Sequence, residues 1–159
     1  MSMKLVVKHK SSQGQGHYKT KDLAFWCSDA RLTRLDEPEK SLLIKSVQVL
    51  GLKMPDVVIV AGGAMGLRDP NSQGFQYLLG QALSLWELHG IETFRAVIHI
   101  NCGAYKKAGL LKEGDNERKF SFKEALTIRA NLEQGLRKNK CDSRVIGYLA
   151  DFDNGLWEV

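Results

Sequence analysis

Four short, largely apolar runs limit what this chain can fold into: Leu23 to Cys27, Asp56 to Val60, Phe94 to Ile98 and Val145 to Leu149. Runs of this length without polar alternation are what strands covered on both faces look like. Helical patterns lie between them. Acidic residues and a proline at Asp36-Glu37-Pro38-Glu39 suit a first turn, Leu43, Val47 and Leu50 follow at helical spacing, and Gly51 suits the stop. Phe75, Leu78, Leu79, Ala82, Leu83 and Trp86 form a second stripe that ends near Gly90. Ser121-Phe122-Lys123-Glu124 has the form of a capping box, opening a helix with Ala125, Ile128, Leu132 and Leu136 on one face. The alternation predicts an α/β fold, a mainly parallel central β-sheet with helices on both faces. At the ends, Met3 to Val7 reads as a strand or extended arm and Ser11 to Lys21 as a polar loop. Asp153-Asn154-Gly155 reads as a turn into Leu156 to Val159, which can pair as a hairpin. A length of 159 residues suits one domain, 1–159, in which 1–21 form the N-terminal arm and loop.

Composition narrows the function classes. No run approaches the roughly 20 apolar residues a membrane helix needs, and the N-terminus turns basic too early for a secretory signal. The cytoplasm is therefore the expected compartment. Three cysteines are an odd count that does not suit a disulfide framework, leaving core thiols, a nucleophile or metal ligands. The net charge is +5. The positive residues are scattered, with only Lys106-Lys107 and Arg137-Lys138-Asn139-Lys140 as small clusters. They predict a solvated basic surface rather than a nucleic-acid interface.

In parallel sheets the ligand site lies beyond the carboxyl ends of the strands. Cys27-Ser28-Asp29-Ala30-Arg31 follows the first run, and the flexible turn Ala61-Gly62-Gly63-Ala64-Met65-Gly66 follows the second. His99-Ile100-Asn101-Cys102-Gly103 follows the third. Taken singly, Cys27 is more simply a small core residue, and His99 with Cys102 is a weak pattern. Together, two cysteines and one histidine at strand ends are the ligand set that selects Zn2+ with one coordination position open. Cys141, in a polar stretch after the last long helix, is expected to be incidental. His17, in the loop before Cys27, reads as a surface residue or a proton shuttle.

The pair of segments Cys27-Ser28-Asp29-Ala30-Arg31 and His99-Ile100-Asn101-Cys102-Gly103 resembles the zinc signature of the β-class carbonic anhydrases. The closing Val145-Ile146-Gly147-Tyr148 and Asp151-Phe152-Asp153-Asn154-Gly155-Leu156 is similar to that family's final strand and turn. The resemblance spans roughly residues 22 to 159. It implies a zinc lyase that hydrates CO2 reversibly to bicarbonate through a zinc-bound hydroxide, in a dimer or dimer-based assembly. It also implies zinc on Cys27, His99 and Cys102, with Asp29 and Arg31 as the catalytic carboxylate and guanidinium. Gly62, Gly63 and Gly103 are the corresponding substrate-binding candidates. Two features depart from the family. Ala61-Gly62-Gly63-Ala64 stands where relatives carry Arg-Asn-Ala-Gly, and Cys27 and His99 are 72 residues apart, an unusually long gap. The alternatives are a hydrolase of a related linear substrate such as CS2 or COS, and a non-catalytic zinc protein closed by Asp29.

Overall fold

The computed structural model describes residues 18–34, 36–152 and 155–159. Five strands form one sheet in the order β2-β1-β3-β4-β5: β1 (Asp22–Cys27), β2 (Asp56–Val60), β3 (Thr93–His99), β4 (Arg144–Asp151) and β5 (Gly155–Glu158). The first four are parallel and β5 runs antiparallel to β4, so the expected terminal hairpin partner is in place. The helices are α1 (Ala30–Thr33), α2 (Leu42–Val49), α3 (Gln73–His89), α4 (Gly103–Lys107) and α5 (Glu117–Lys138).

Register decides which side chains each face of the sheet buries. Leu23, Phe94 and Val145 are aligned across three strands, as are Ala24, Arg95 and Ile146, so neighbours along a strand point to opposite faces. The face of Phe25 and Ala96 lies beneath α5, whose Ala125 carbonyl comes close to Gly147. The stripe expected on α5 is the buried one: Ala125, Ile128, Leu132 and Leu136 are all within the core. The α3 stripe packs beside it, with Phe75 and Leu79 against Gly135. The opposite face carries Trp26, Arg95 and Tyr148, and Leu43, Val47 and Leu50 of the α2 segment cover it. Helices therefore lie on both faces, as the alternation predicts.

Two helix starts differ from expectation, each because a side chain has a better partner. Pro38–Lys40 forms only a 3-10 turn, and α2 begins instead after Ser41. The Ser41 hydroxyl accepts from the Ile44 N–H at 3.2 Å and donates to the Leu32 carbonyl at 3.4 Å, so it caps α2 and ties it to α1. The capping box at Ser121 is not used. Asn116 caps α5 by accepting from the Lys119 N–H at 3.0 Å, and Ser121 is buried inside the helix. Glu124 does not reach back to a cap because Arg68 donates two hydrogen bonds to its carboxylate, at 3.0 and 3.3 Å. Cys141 is fully buried and donates to the Ser143 hydroxyl, so it is a core thiol.

At the amino end of the sheet, His89 Nδ1 lies 2.6 Å from Asp56 Oδ2, and Tyr18 stacks on the imidazole while bonding the same carboxylate. This accounts for His89 without any role at the strand ends. The expected arm at Met3 to Val7, most of the polar loop, His9, His17 and the Asp153-Asn154 turn lie outside the described residues. No described helix is long and apolar enough to cross a membrane.

Leu132 is fully buried whereas Leu126 on the same helix is 41 % exposed. Leu132→Ala is expected to cost roughly 2–5 kcal/mol in urea denaturation, and Leu126→Ala less than about 0.5 kcal/mol.

Candidate metal centre

The chain leaves β1 for a neighbour on one side, β2, and later fills the other side with β3. The switch point of the sheet is therefore the crevice between the carboxyl ends of β1 and β3. Cys27 ends one of these strands and His99 the other. Their ladder stops at Phe25–Ala96 although both strands continue, and the Gly62-Gly63 turn enters at that level. Gly63 has φ of +60°, and a Cβ on it would sit 2.5 Å from the Val97 carbonyl oxygen and 3.2 Å from the Cys27 nitrogen. Only a glycine fits so close to both backbones.

After β3 the chain turns at Asn101, which takes a left-handed φ of 58°, so that Cys102 faces back towards His99. The turn is held from three sides. Glu117 accepts from the Asn101 N–H, Lys106 donates to the Asn101 side chain, and Arg31 Nη2 donates to the Asn101 carbonyl at 3.2 Å. The outcome is a group of three buried side chains, Cys27, His99 and Cys102, whose ligand atoms all lie within 4.8 Å of one another.

The chemistry of this group fits a divalent metal. His99 Nδ1 is 2.8 Å from the Ile100 carbonyl, which can only accept, so Nδ1 carries the proton and Nε2 holds the lone pair. Nε2 is buried and has no hydrogen-bond partner. A buried acceptor in that condition is costly unless something binds it. The sulfurs tell the same story. Hydrogen bonding between the two thiols pulls Cys27 well below the usual thiol range, against the opposing effect of burial, and His99 pulls the same way. The same bond pushes Cys102 up, and burial adds to the rise. A thiolate stabilised in this way is the form that binds a metal, and a dication would satisfy both sulfurs. Backbone N–H groups favour the charged forms: that of Asp29 beside Cys27, and those of Ala104 and Tyr105 beside Cys102. Two thiolates, one imidazole and their amide support suit Zn2+.

Asp29 and Arg31 stand beside this group. Asp29 caps α1, accepting from the Arg31 N–H at 3.0 Å. Its carboxylate also receives the Arg31 guanidinium in bidentate fashion, 2.9 Å to Oδ1 and 2.6 Å to Oδ2. Those bonds hold its carboxyl below the usual carboxylate range, against the smaller effect of burial. Oδ2 also lies 4.0 Å from His99 Nε2. The carboxylate thus reaches the edge of the ligand group while both of its oxygens are engaged by Arg31.

Neither a protein-family model nor a curated protein matches the chain, but solved structures do. A β-carbonic anhydrase of Coccomyxa, determined with acetazolamide, matches with a TM-score of 0.56 at 17% identity, over 89% of this chain and 72% of that one. A tetrameric β-carbonic anhydrase of the filamentous ascomycete Sordaria macrospora gives 0.50 at 14% identity, over 89% and 81%. The chain has the β-carbonic anhydrase fold. A carbon disulfide hydrolase in its apo form shares this fold, with a TM-score of 0.50 at 16% identity over 89% and 80%.

Within the β-carbonic anhydrase fold the sequence candidates do not all occupy comparable positions. Cys27, His99 and Cys102 converge, and Asp29 and Arg31 pair beside them. Gly63 is buried between the strands, and Gly62 is buried beside Met65 and Ala104. Gly103 is the exposed first residue of α4 with open space around it. Three contributors escaped sequence reading. Asn101 supplies a left-handed pivot, and its residue type was the available signal, since asparagine tolerates that region better than other non-glycine residues. Glu117 arrives from a distant helix. Phe152, directly after β4, lays its ring against Arg31, and its position at a strand end was the one available signal.

Metal-free protein is expected to take up one Zn2+ or Co2+ per chain, and Cys27→Ser, His99→Ala and Cys102→Ser each to lose that stoichiometry. Cys141→Ser should retain it; elemental analysis after gel filtration reads the difference. Gly63→Ala is expected to lose roughly 1–3 kcal/mol of stability in denaturant titration and to weaken metal uptake together with it.

Proposed function

We propose that this chain is a divergent, compact member of the β-carbonic anhydrase family, a zinc lyase that interconverts CO2 and water with bicarbonate and a proton. Cys27, His99 and Cys102 hold the zinc, Asp29 and Arg31 are the catalytic pair, and the backbone at Gly62, Gly63 and Gly103 bounds the substrate. The protein acts in the cytoplasm as a homodimer or dimer-based oligomer. One observation carries the reading: three buried metal-binding groups have beside them a carboxylate whose two oxygens are held by Arg31.

A bound zinc ion supplies a Lewis acid that brings the pKa of a coordinated water down to roughly 7, near working pH. The chain's own residues do the rest. Arg31 keeps Asp29 ionised and turned away from the ligand atoms. Asp29 then accepts a hydrogen bond from the attacking nucleophile and aims its lone pair at the carbon of CO2. The proton released in hydration passes to solvent or buffer. CO2 is linear, neutral and weakly bound by polar groups, so orienting the nucleophile contributes more than gripping the substrate.

The fold shared with a carbon disulfide hydrolase supports a second substrate, CS2 or COS, attacked at carbon by the same nucleophile with release of sulfide. A third reading, a zinc protein without catalysis, requires Asp29 to leave Arg31 and join the three ligands permanently. Stopped-flow CO2 hydration by zinc-loaded protein separates these readings. Hydration is expected, and Asp29→Ala should reduce kcat/KM on the order of a hundredfold while zinc content is unchanged. Sulfide release from CS2 without CO2 hydration would favour the second reading. Stoichiometric zinc with neither activity would sink the enzyme reading.

A further inference from the structure

Phe152 is a large apolar side chain left 40 % exposed at the carboxyl end of β4, on the same edge of the sheet as the ligand group. Its ring is not idle there. The Arg31 guanidinium carbon lies 4.5 Å above its centroid, a cation–π contact. The His99 imidazole meets the same ring nearly edge-on, with centroids 5.7 Å apart and planes at 80°. Phe152 therefore touches both a member of the ligand group and the arginine that controls Asp29.

Arg31 is otherwise open to solvent. Its side chain is 51 % exposed, and its other fixed contacts are the Asp29 carboxylate and the Asn101 carbonyl. A half-exposed guanidinium keeps some rotamer freedom and is screened by water. A flat aromatic face stacked on it removes much of that freedom and shields one side of the ion pair. Asp29 is held in the bidentate pair with Arg31, and in that position its Oδ2 lies 4.0 Å from His99 Nε2, at the edge of the ligand group.

Resting on the zinc-site reading, we infer that Phe152 is a positioning residue that stacks on Arg31 and thereby holds Asp29 in its arginine-bound station, outside the coordination sphere. The ring acts through Arg31 and touches no reacting atom. It also explains why an aromatic residue is tolerated in the open at this strand end. The shape of the contact matters more than its greasiness, so leucine, with similar apolar bulk and no π face, does not replace phenylalanine, and tyrosine does.

The test uses the full chain with Phe152→Ala, Phe152→Leu and Phe152→Tyr. In metal-free protein, the Arg31 Nε–H resonance reports the ion pair directly. It is expected to be sharp in the parent and the tyrosine variant, and broadened by exchange in the leucine and alanine variants. In Co2+-loaded protein, the visible spectrum reports whether a carboxylate has joined the two thiolates and the imidazole. The leucine and alanine variants are expected to shift towards that four-ligand spectrum, and the shift should vanish when Asp29→Asn is added. With Zn2+, kcat/KM should fall roughly fivefold to tenfold in the leucine variant and recover in the tyrosine variant. An Arg31 resonance and Co2+ spectrum unchanged in Phe152→Leu would overturn the role, as would a spectral shift that persists with Asp29→Asn. Parent protein that takes up no Co2+, while its Arg31 resonance still responds to Phe152, would overturn the metal reading alone and leave the ring's hold on Arg31 standing.

Discussion

The parting of β1 and β3 is the constraint on which the rest of this structure depends. Two adjacent parallel strands pair as far as Phe25 and Ala96 and then continue apart, with Gly63 wedged against the Cys27 nitrogen and the Val97 carbonyl. Backbone polar groups that lose ladder partners inside a protein must find others or sit beside something closely fitted. The only residue that fits here has no side chain. Opening the ladder frees the ends of two strands to turn inward, and those ends carry Cys27 and His99.

Once the crevice exists, electrostatics decides what can occupy it. Two buried thiols and an imidazole whose Nε2 has no hydrogen-bond partner form a group suited to a cation. The nearby carboxylate would be a natural fourth partner for such a cation. Arg31 occupies both oxygens of Asp29, in a half-exposed ion pair of modest strength.

Legibility from sequence varied with the range of the interactions involved. The strands, the α3 and α5 stripes and the chemistry of the three candidate ligands could all be read locally, because residue type and periodicity carry them. Helix starts could not always be read. Ser121 and Glu124 have the spacing of a capping box, yet Arg68, more than fifty residues upstream, holds Glu124 and leaves Asn116 as the cap. Ser41 beat the acidic segment before it because its hydroxyl also reaches Leu32. In both cases a tertiary partner outbid a local preference that is worth only about 1 kcal/mol.

By itself the sequence determined the main strands, the long helices, the parallel sheet and the identity of the groups at its carboxyl edge. Those follow from apolar periodicity and from placing Cys, His, Asp and Arg at strand ends, which are properties of short segments. Tertiary structure alone decided that Cys27 and His99, 72 residues apart, meet across a split ladder. It also decided that Gly63 is the wedge, that Asn101 turns Cys102 back, and that Phe152 lies on Arg31. The physical reason is range. A wedge, a pivot and a stacked ring are defined by what stands opposite them, and no segment of the chain carries its own opposite side.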